Sequence, residues 1–252
     1  MTVAASHSMP HPLPRRIANG GRAALFVASA LGWLVLAGTR WAAPLRRAGL
    51  GALLRATGTE VVVHGCPAAP PRGTLLVANH ISWLDIVILA RVTDAAFVAK
   101  HEVARWPLLG ALARRAGCVF VARDRRAYAR QQAHALHDAL ASGRNVILFA
   151  EGTTGPGDRL LPFRSSLFPD QQAFPVQPLA ITYQRPDGTP LSPEHRRRIA
   201  WLDDDALLPH LAHLLRAGAC RAEVRFGEPF MAQDRKEAAA RCWGEVAGRL
   251  VR

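Results

Sequence analysis

The chain has 252 residues, half of them hydrophobic, a length that suits one domain with a full core plus an appended segment. Its formal net charge of +13 and pI near 11.2 suggest an anionic partner, yet no helix-turn-helix, zinc-finger spacing or RNA-stacking signature points to nucleic acid. Cys66, Cys118, Cys220 and Cys242 are widely spaced with no CxxC pair, which argues against a metal site or disulfide framework and fits a reducing compartment.

Residues 1–22 are rich in Pro, His, Ser and Arg and are expected to form a disordered tail. Residues 23–39 (AALFVASALGWLVLAGT) carry no charge and are flanked by Arg22 and Arg40. That is the lower edge of a membrane span, which usually takes about 20 residues. A signal peptide is the other reading, although the tail before the apolar run is long for one. Arginines on both sides leave the orientation undetermined. Residues 41–56 (WAAPLRRAGLGALLRA) mix apolar residues and arginines in an amphipathic pattern suited to a membrane interface. Residues 23–57 are therefore expected to be a helical membrane anchor, and residues 58–252 a separate domain.

From residue 58 onward, strand and helix patterns alternate. Strand-like runs cover 60–64, 74–78, 96–99, 118–122, 145–149, 176–182 and 221–226. Helical patterns cover 84–90, 107–115, 125–141, 206–216 and 236–251. This alternation predicts an α/β fold with a mostly parallel central sheet flanked by helices. In such sheets ligands gather beyond the carboxyl ends of the strands. His80, Arg123 and Glu151 each follow directly on such an end, which predicts one shared site.

The most informative stretch is Asn79-His80-Ile81-Ser82-Trp83-Leu84-Asp85. A histidine at a strand end and an acid in the following helical turn can meet across the bend. The carboxylate would fix the tautomer and support the imidazolium, leaving the other nitrogen to take a proton. Ser82 and Asp85 also fit a capping box, so the acid has a purely structural reading as well. Ser82 has no G-x-S-x-G elbow around it and is a poor candidate for a nucleophile. Elsewhere, Arg123 is either a phosphate-binding fork or a loop arginine paired with Asp124. The loop 151–157 (EGTTGPG) is either an anion cradle or an ordinary glycine-rich turn. Lys100 and Arg164 are further cations that could be surface charges or binding groups.

In order and spacing, four blocks resemble the glycerolipid acyltransferase family, lysophosphatidic acid acyltransferase type. They are NHISWLD (79–85), GCVFVAR (117–123), FAEGTT (149–154) and the Pro- and Val-rich run PVQPL (175–179). Lesser landmarks, FVAK (97–100) and LPFRS (161–165), fall in line as well. The resemblance spans about residues 58–230 and implies a glycerol-3-phosphate acyltransferase-like fold. It implies transfer of an acyl group from acyl-CoA or acyl carrier protein to a lysolipid hydroxyl at the cytoplasmic face of the inner membrane, among membrane lipids. His80 would be the general base and Asp85 its orienting acid, without metal or redox cofactor. Lys100, Arg123, Glu151, Gly152, Thr153 and Arg164 would bind substrate, with Glu151 better suited to aligning Arg123 or a lipid hydroxyl or amine than to holding phosphate.

Two positions depart from the family pattern. Ala150 stands where Pro is usual, and Thr154 where Arg is usual. A missing arginine puts a phosphate-bearing acceptor in doubt unless Arg159 or Arg164 replaces it. Lysophosphatidic acid is the first acceptor the resemblance implies. The second is lyso-ornithine lipid, a hydroxyl on a 3-hydroxy fatty acid amide-linked to an amino acid, since its acyltransferases have a similar threonine-and-glycine loop. A basic membrane-binding protein without catalysis is the alternative of another class.

Overall fold

The computed structural model describes residues 39–65, 71–106, 109–121, 126–169, 173–202, 205–217 and 219–250, with scattered positions between 21 and 35. Seven strands form one sheet: β1 (Thr59–His64), β2 (Leu75–Ala78), β3 (Ala96–Lys100), β4 (Val119–Val121), β5 (Val146–Phe149), β6 (Val176–Gln184) and β7 (Cys220–Phe226). Their order is β1-β7-β6-β2-β5-β3-β4. Strands β6, β2, β5, β3 and β4 run parallel, β7 lies antiparallel to β6, and β1 runs parallel to β7. The mostly parallel sheet expected from the alternating pattern is present.

Successive side chains of a strand point to opposite faces, and this divides the apolar residues into two cores. Leu76 and Ala78 of β2 join Ile147 and Phe149 of β5 on one face, beneath α1 (Ala42–Ala56) and α2 (Trp83–Val92). Leu75, Val77, Val146 and Leu148 face the other way, under α4 (Arg126–Ala141) and α7 (Arg235–Leu250). Strand β2 is buried at every position, as a central strand covered on both faces must be. A short helix α3 (Leu109–Arg115) leads into β4, and α5 (Pro193–Ile199) and α6 (Leu207–Ala217) connect β6 to β7.

Packing runs across the domain boundary expected at residues 57–58. Leu53 and Leu54 of α1 belong to the same core as Trp83, Leu84 and Ile88 of α2. Arg46 donates to the Ala90 carbonyl and to Asp94, tying α1 to the end of α2. The second half of 41–56 packs within the domain, with Leu53 and Leu54 buried among α2 and β1, whereas Trp41, Ala43 and Pro44 at its start are exposed. The expected span at 23–39 lies largely outside the described residues, and among those described no helix is long and apolar enough to cross a membrane. Val27, Leu31 and Val35 are exposed large hydrophobic residues there, as is Trp41 just beyond it.

Helix α5 was not anticipated from apolar periodicity because it is short and mostly polar. Its signal was in the capping chemistry: Ser192 accepts a hydrogen bond from the His195 N–H, and Pro193 occupies the first helical turn.

Candidate active site

Strand parity places the imidazole. His80 lies two residues beyond Ala78, so it continues the face covered by α2, the helix that carries Asp85. Its Nδ1 lies 2.9 Å from Asp85 Oδ2. An ionised carboxylate can only accept, so this contact puts the ring proton on Nδ1 and leaves Nε2 with its lone pair. No hydrogen-bond partner occupies Nε2 among the described residues. Phe149 pairs with Ala78 in the ladder, and its ring stacks on the His80 imidazole at 3.8 Å between centroids and 11° between planes. The imidazole plane is therefore fixed from below by an aromatic face and from the side by a carboxylate.

Asp85 makes the contacts that both its capping reading and its pairing with His80 require. Ser82 caps α2 and the capping box with Asp85 is complete. Asp85 Oδ2 also accepts from the backbone N–H groups of Ile81 at 2.6 Å and Ser82 at 2.9 Å. The phenol of Tyr183 donates to Oδ1 at 2.6 Å. A carboxylate with 0% exposure is thus supplied with donors on both oxygens, which is what a buried charge requires.

The turn carrying His80 is held from several sides. The Asn79 side chain accepts from the Ile181 N–H at 2.8 Å and donates to the Ile181 carbonyl at 3.0 Å, pairing like another ladder residue where β2 has ended. The His80 N–H donates to Glu151 Oε1 at 2.7 Å, and its carbonyl accepts from the Gly155 N–H at 2.7 Å. Ile81 accepts through its carbonyl from the Trp201 N–H at 2.9 Å. The Thr154 hydroxyl donates to the Trp201 carbonyl, so the residue standing where the family usually has arginine serves as a loop fastener.

Glu151 has two backbone partners that the sequence did not suggest. The expected alignment of Arg123 lies outside the described residues, and Glu151 itself is only 3% exposed. Its second oxygen accepts from the Leu161 N–H at 2.9 Å, so the carboxylate clips two backbone segments together. Burial pushes its carboxyl up to about 7, against the lowering by the N–H groups of His80 and Leu161, and the nearby Asp85 charge adds to the rise.

The remaining predicted binding residues are distributed around this centre. Gly152 has φ +74, and a Cβ there would lie 3.3 Å from Arg164 Cδ and Nε, so the glycine lets the arginine stem cross close over the loop. Arg164 is exposed, and its guanidinium has no partner among the described residues. Thr153 is exposed on the same loop. Lys100 ends β3, but its side chain lies outside the described residues, as does Arg123 altogether. Strand β4, which leads to Arg123, is the sheet edge, three strand spacings or about 14 Å from β2.

Asn79, Phe149 and Tyr183 were not singled out as site residues from the sequence. The clue to Tyr183 was its place two and four residues after Ile181 and Leu179, on the same face of β6. A second buried polar chain braces α2: Trp83 Nε1 donates to His210 Nδ1 at 2.8 Å, and His210 Nε2 donates to the Ala200 carbonyl at 3.1 Å. Burial pushes the His210 imidazole down, consistent with a neutral ring.

Comparison with known proteins gives three kinds of match. Residues 60–182 match the family described as Acyltransferase. The chain is 42% identical over 205 residues to the lyso-ornithine lipid O-acyltransferase of Rhizobium meliloti (strain 1021), covering 78% of this chain and 69% of that protein. It is 38% identical over 119 residues to the 1-acyl-sn-glycerol-3-phosphate acyltransferase of Neisseria gonorrhoeae, covering 47% of each. In fold it resembles the 1-acyl-sn-glycerophosphate (LPA) acyltransferase PlsC from Thermotoga maritima, with a TM-score of 0.59, 20% identity, and coverage of 94% of this chain and 97% of that one.

Proposed function

This chain belongs to the acyltransferase family, and we propose from that premise that it moves a fatty acyl group to the free hydroxyl of a lysolipid, with lyso-ornithine lipid as the acceptor. The observation that carries the chemistry is the His80 Nδ1–Asp85 Oδ2 contact of 2.9 Å, which leaves Nε2 as the open base. On this reading Nε2 takes the proton of the acceptor hydroxyl as its oxygen attacks the thioester carbonyl. The imidazolium, supported by Asp85, then gives that proton to the departing thiolate, and the ester replaces the thioester. Acyl-CoA or acyl carrier protein is the donor class. General-base assistance of this kind contributes about 10²–10⁴-fold, and the rest comes from positioning.

The acceptor follows from two observations. The match to the R. meliloti lyso-ornithine lipid enzyme is longer and closer than the match to the N. gonorrhoeae enzyme. Thr154 also spends its hydroxyl on the Trp201 carbonyl and presents no cation to a phosphate. Lysophosphatidic acid is the second reading, favoured by Arg164, whose guanidinium lies over the Gly152 turn without a partner among the described residues and is able to hold an anion. The enzyme works at the cytoplasmic face of the inner membrane on this reading. The exposed Val27, Leu31, Val35 and Trp41 and the +13 charge suit a bilayer surface. The test is acyl transfer by the purified full chain in mixed micelles, offering each lysolipid with acyl-CoA and with acyl carrier protein. Faster transfer to lyso-ornithine lipid is expected; a preference for lysophosphatidic acid reverses the acceptor assignment, and no transfer to either overturns the reading.

A further inference from the structure

The donors around Asp85 are unevenly shared. Oδ2 accepts from His80 Nδ1 and from the Ile81 and Ser82 N–H groups, whereas among the described residues Oδ1 accepts only from the Tyr183 hydroxyl, at 2.6 Å. No solvent compensates, because Asp85 has no exposed surface. We propose that Tyr183 is a positioning residue for the acyl transfer, anchoring the far oxygen of Asp85 so that the near one faces His80. This rests on the reading of His80 as the general base.

The sheet delivers Tyr183 to that place. The Asn79 side chain locks the Ile181 peptide against the end of β2, and β6 runs on past it. Two residues later, period-2 alternation returns a side chain to the face shared by Leu179, Ile181 and α2, and that side chain is Tyr183. Burial and the Asp85 charge push its phenol well above the usual range, so the hydroxyl remains a donor. Without it, Oδ1 is a buried charged acceptor with nothing to accept. The carboxylate then gains by turning to share the Oδ2 donors, and the His80 contact loses its alignment. Tyr183 touches neither reacting group and acts through Asp85.

The chain contains only two tyrosines, Tyr128 and Tyr183, which makes the test selective. In a Tyr128→Phe background, Tyr183→Phe is expected to lower kcat about tenfold, the size of one lost hydrogen bond to a charged group. KM for lysolipid and for acyl donor should stay within about twofold, a split that a general loss of structure does not produce. The low-field Nδ1 proton resonance of His80, assigned by its absence from His80→Ala, should shift. Replacement of Tyr183 by 3-fluorotyrosine keeps the hydroxyl and should keep kcat within about twofold while moving that resonance, because the phenol is a stronger donor. A Tyr183→Phe enzyme with parental kcat and an unmoved resonance overturns the proposal. If that variant does not fold, an unmoved resonance in the fluorotyrosine enzyme overturns it equally. Parental transfer by His80→Ala defeats the reading of the base itself, whereas an inactive His80→Ala beside a fully active Tyr183→Phe defeats only this inference.

Discussion

His80 and His64 both lie near strand ends beside a carboxylate, and the surroundings of the two pairs differ at every point. His80 Nδ1 is 2.9 Å from Asp85, with side-chain exposures of 13% and 0%, while His64 Nε2 is 3.5 Å from Glu223, with exposures of 47% and 9%. Asp85 is oriented by two backbone N–H groups and a phenol. Glu223 Oε2 instead faces Arg225, whose Nε lies at 3.1 Å and competes with the imidazole for the same oxygen. Backbone donors fix one geometry and leave the carboxylate its full negative charge toward the histidine. A guanidinium beside the carboxylate neutralises the charge it presents to the imidazole. Proximity of histidine and acid is therefore common to the two pairs, whereas orientation of the acid by backbone donors belongs to the His80 pair.

The sharpest way to break this contrast is His80→Ala, expected to lower kcat about 10³-fold with the circular dichroism spectrum unchanged. Glu151→Gln comes next. The amide keeps one acceptor but turns an NH₂ toward the other backbone N–H, so one half of the clip under His80 fails and kcat should fall about tenfold. The same variant has a pH signature. The Glu151 carboxyl stands at about 7 in the fold against an ordinary 4.5, so the fold favours its neutral form. That contribution is complete below about 4.5 and is lost as pH rises through about 7. Parent-minus-variant unfolding free energy should therefore decline across that window and level off above it. A flat difference would count against the buried-acid account.

Arg164→Ala should raise KM for the acceptor about tenfold while kcat stays within about twofold, the outcome expected of an arginine that binds a head group away from the reacting atoms. An unchanged KM would return Arg164 to an ordinary surface charge. The smallest expected effect belongs to His64→Ala, with kcat unchanged and stability within about 0.5 kcal/mol, measured by urea unfolding. A loss of activity there would erase the distinction between the two pairs.

Much of the architecture was legible because it is written locally. The run LLVA of β2, apolar at every position, announces a strand buried on both faces, and its observed limits lie within a residue of the expected ones. Ser82 and Asp85 announced the helix start and the acid together. The amphipathic stripe of 41–56 reports that a face is covered, not whether lipid or protein covers it, and the structure adds only that Leu53 and Leu54 are covered by protein. The partners of Glu151 were not legible for a related reason: its sequence neighbours describe a loop, while His80 and Leu161 come from other segments.

The sequence alone determined the strand and helix alternation, the NHISWLD block and the reach of Asp85 to His80, since five residues across one bend leave few other arrangements. Only the tertiary structure decided what steadies that pair. Tyr183 is 98 residues from Asp85, and Ile181 is 102 from Asn79. Alternation assigns such residues to a face, but strand order and register choose their neighbours on it, and those are set by the packing of the whole sheet.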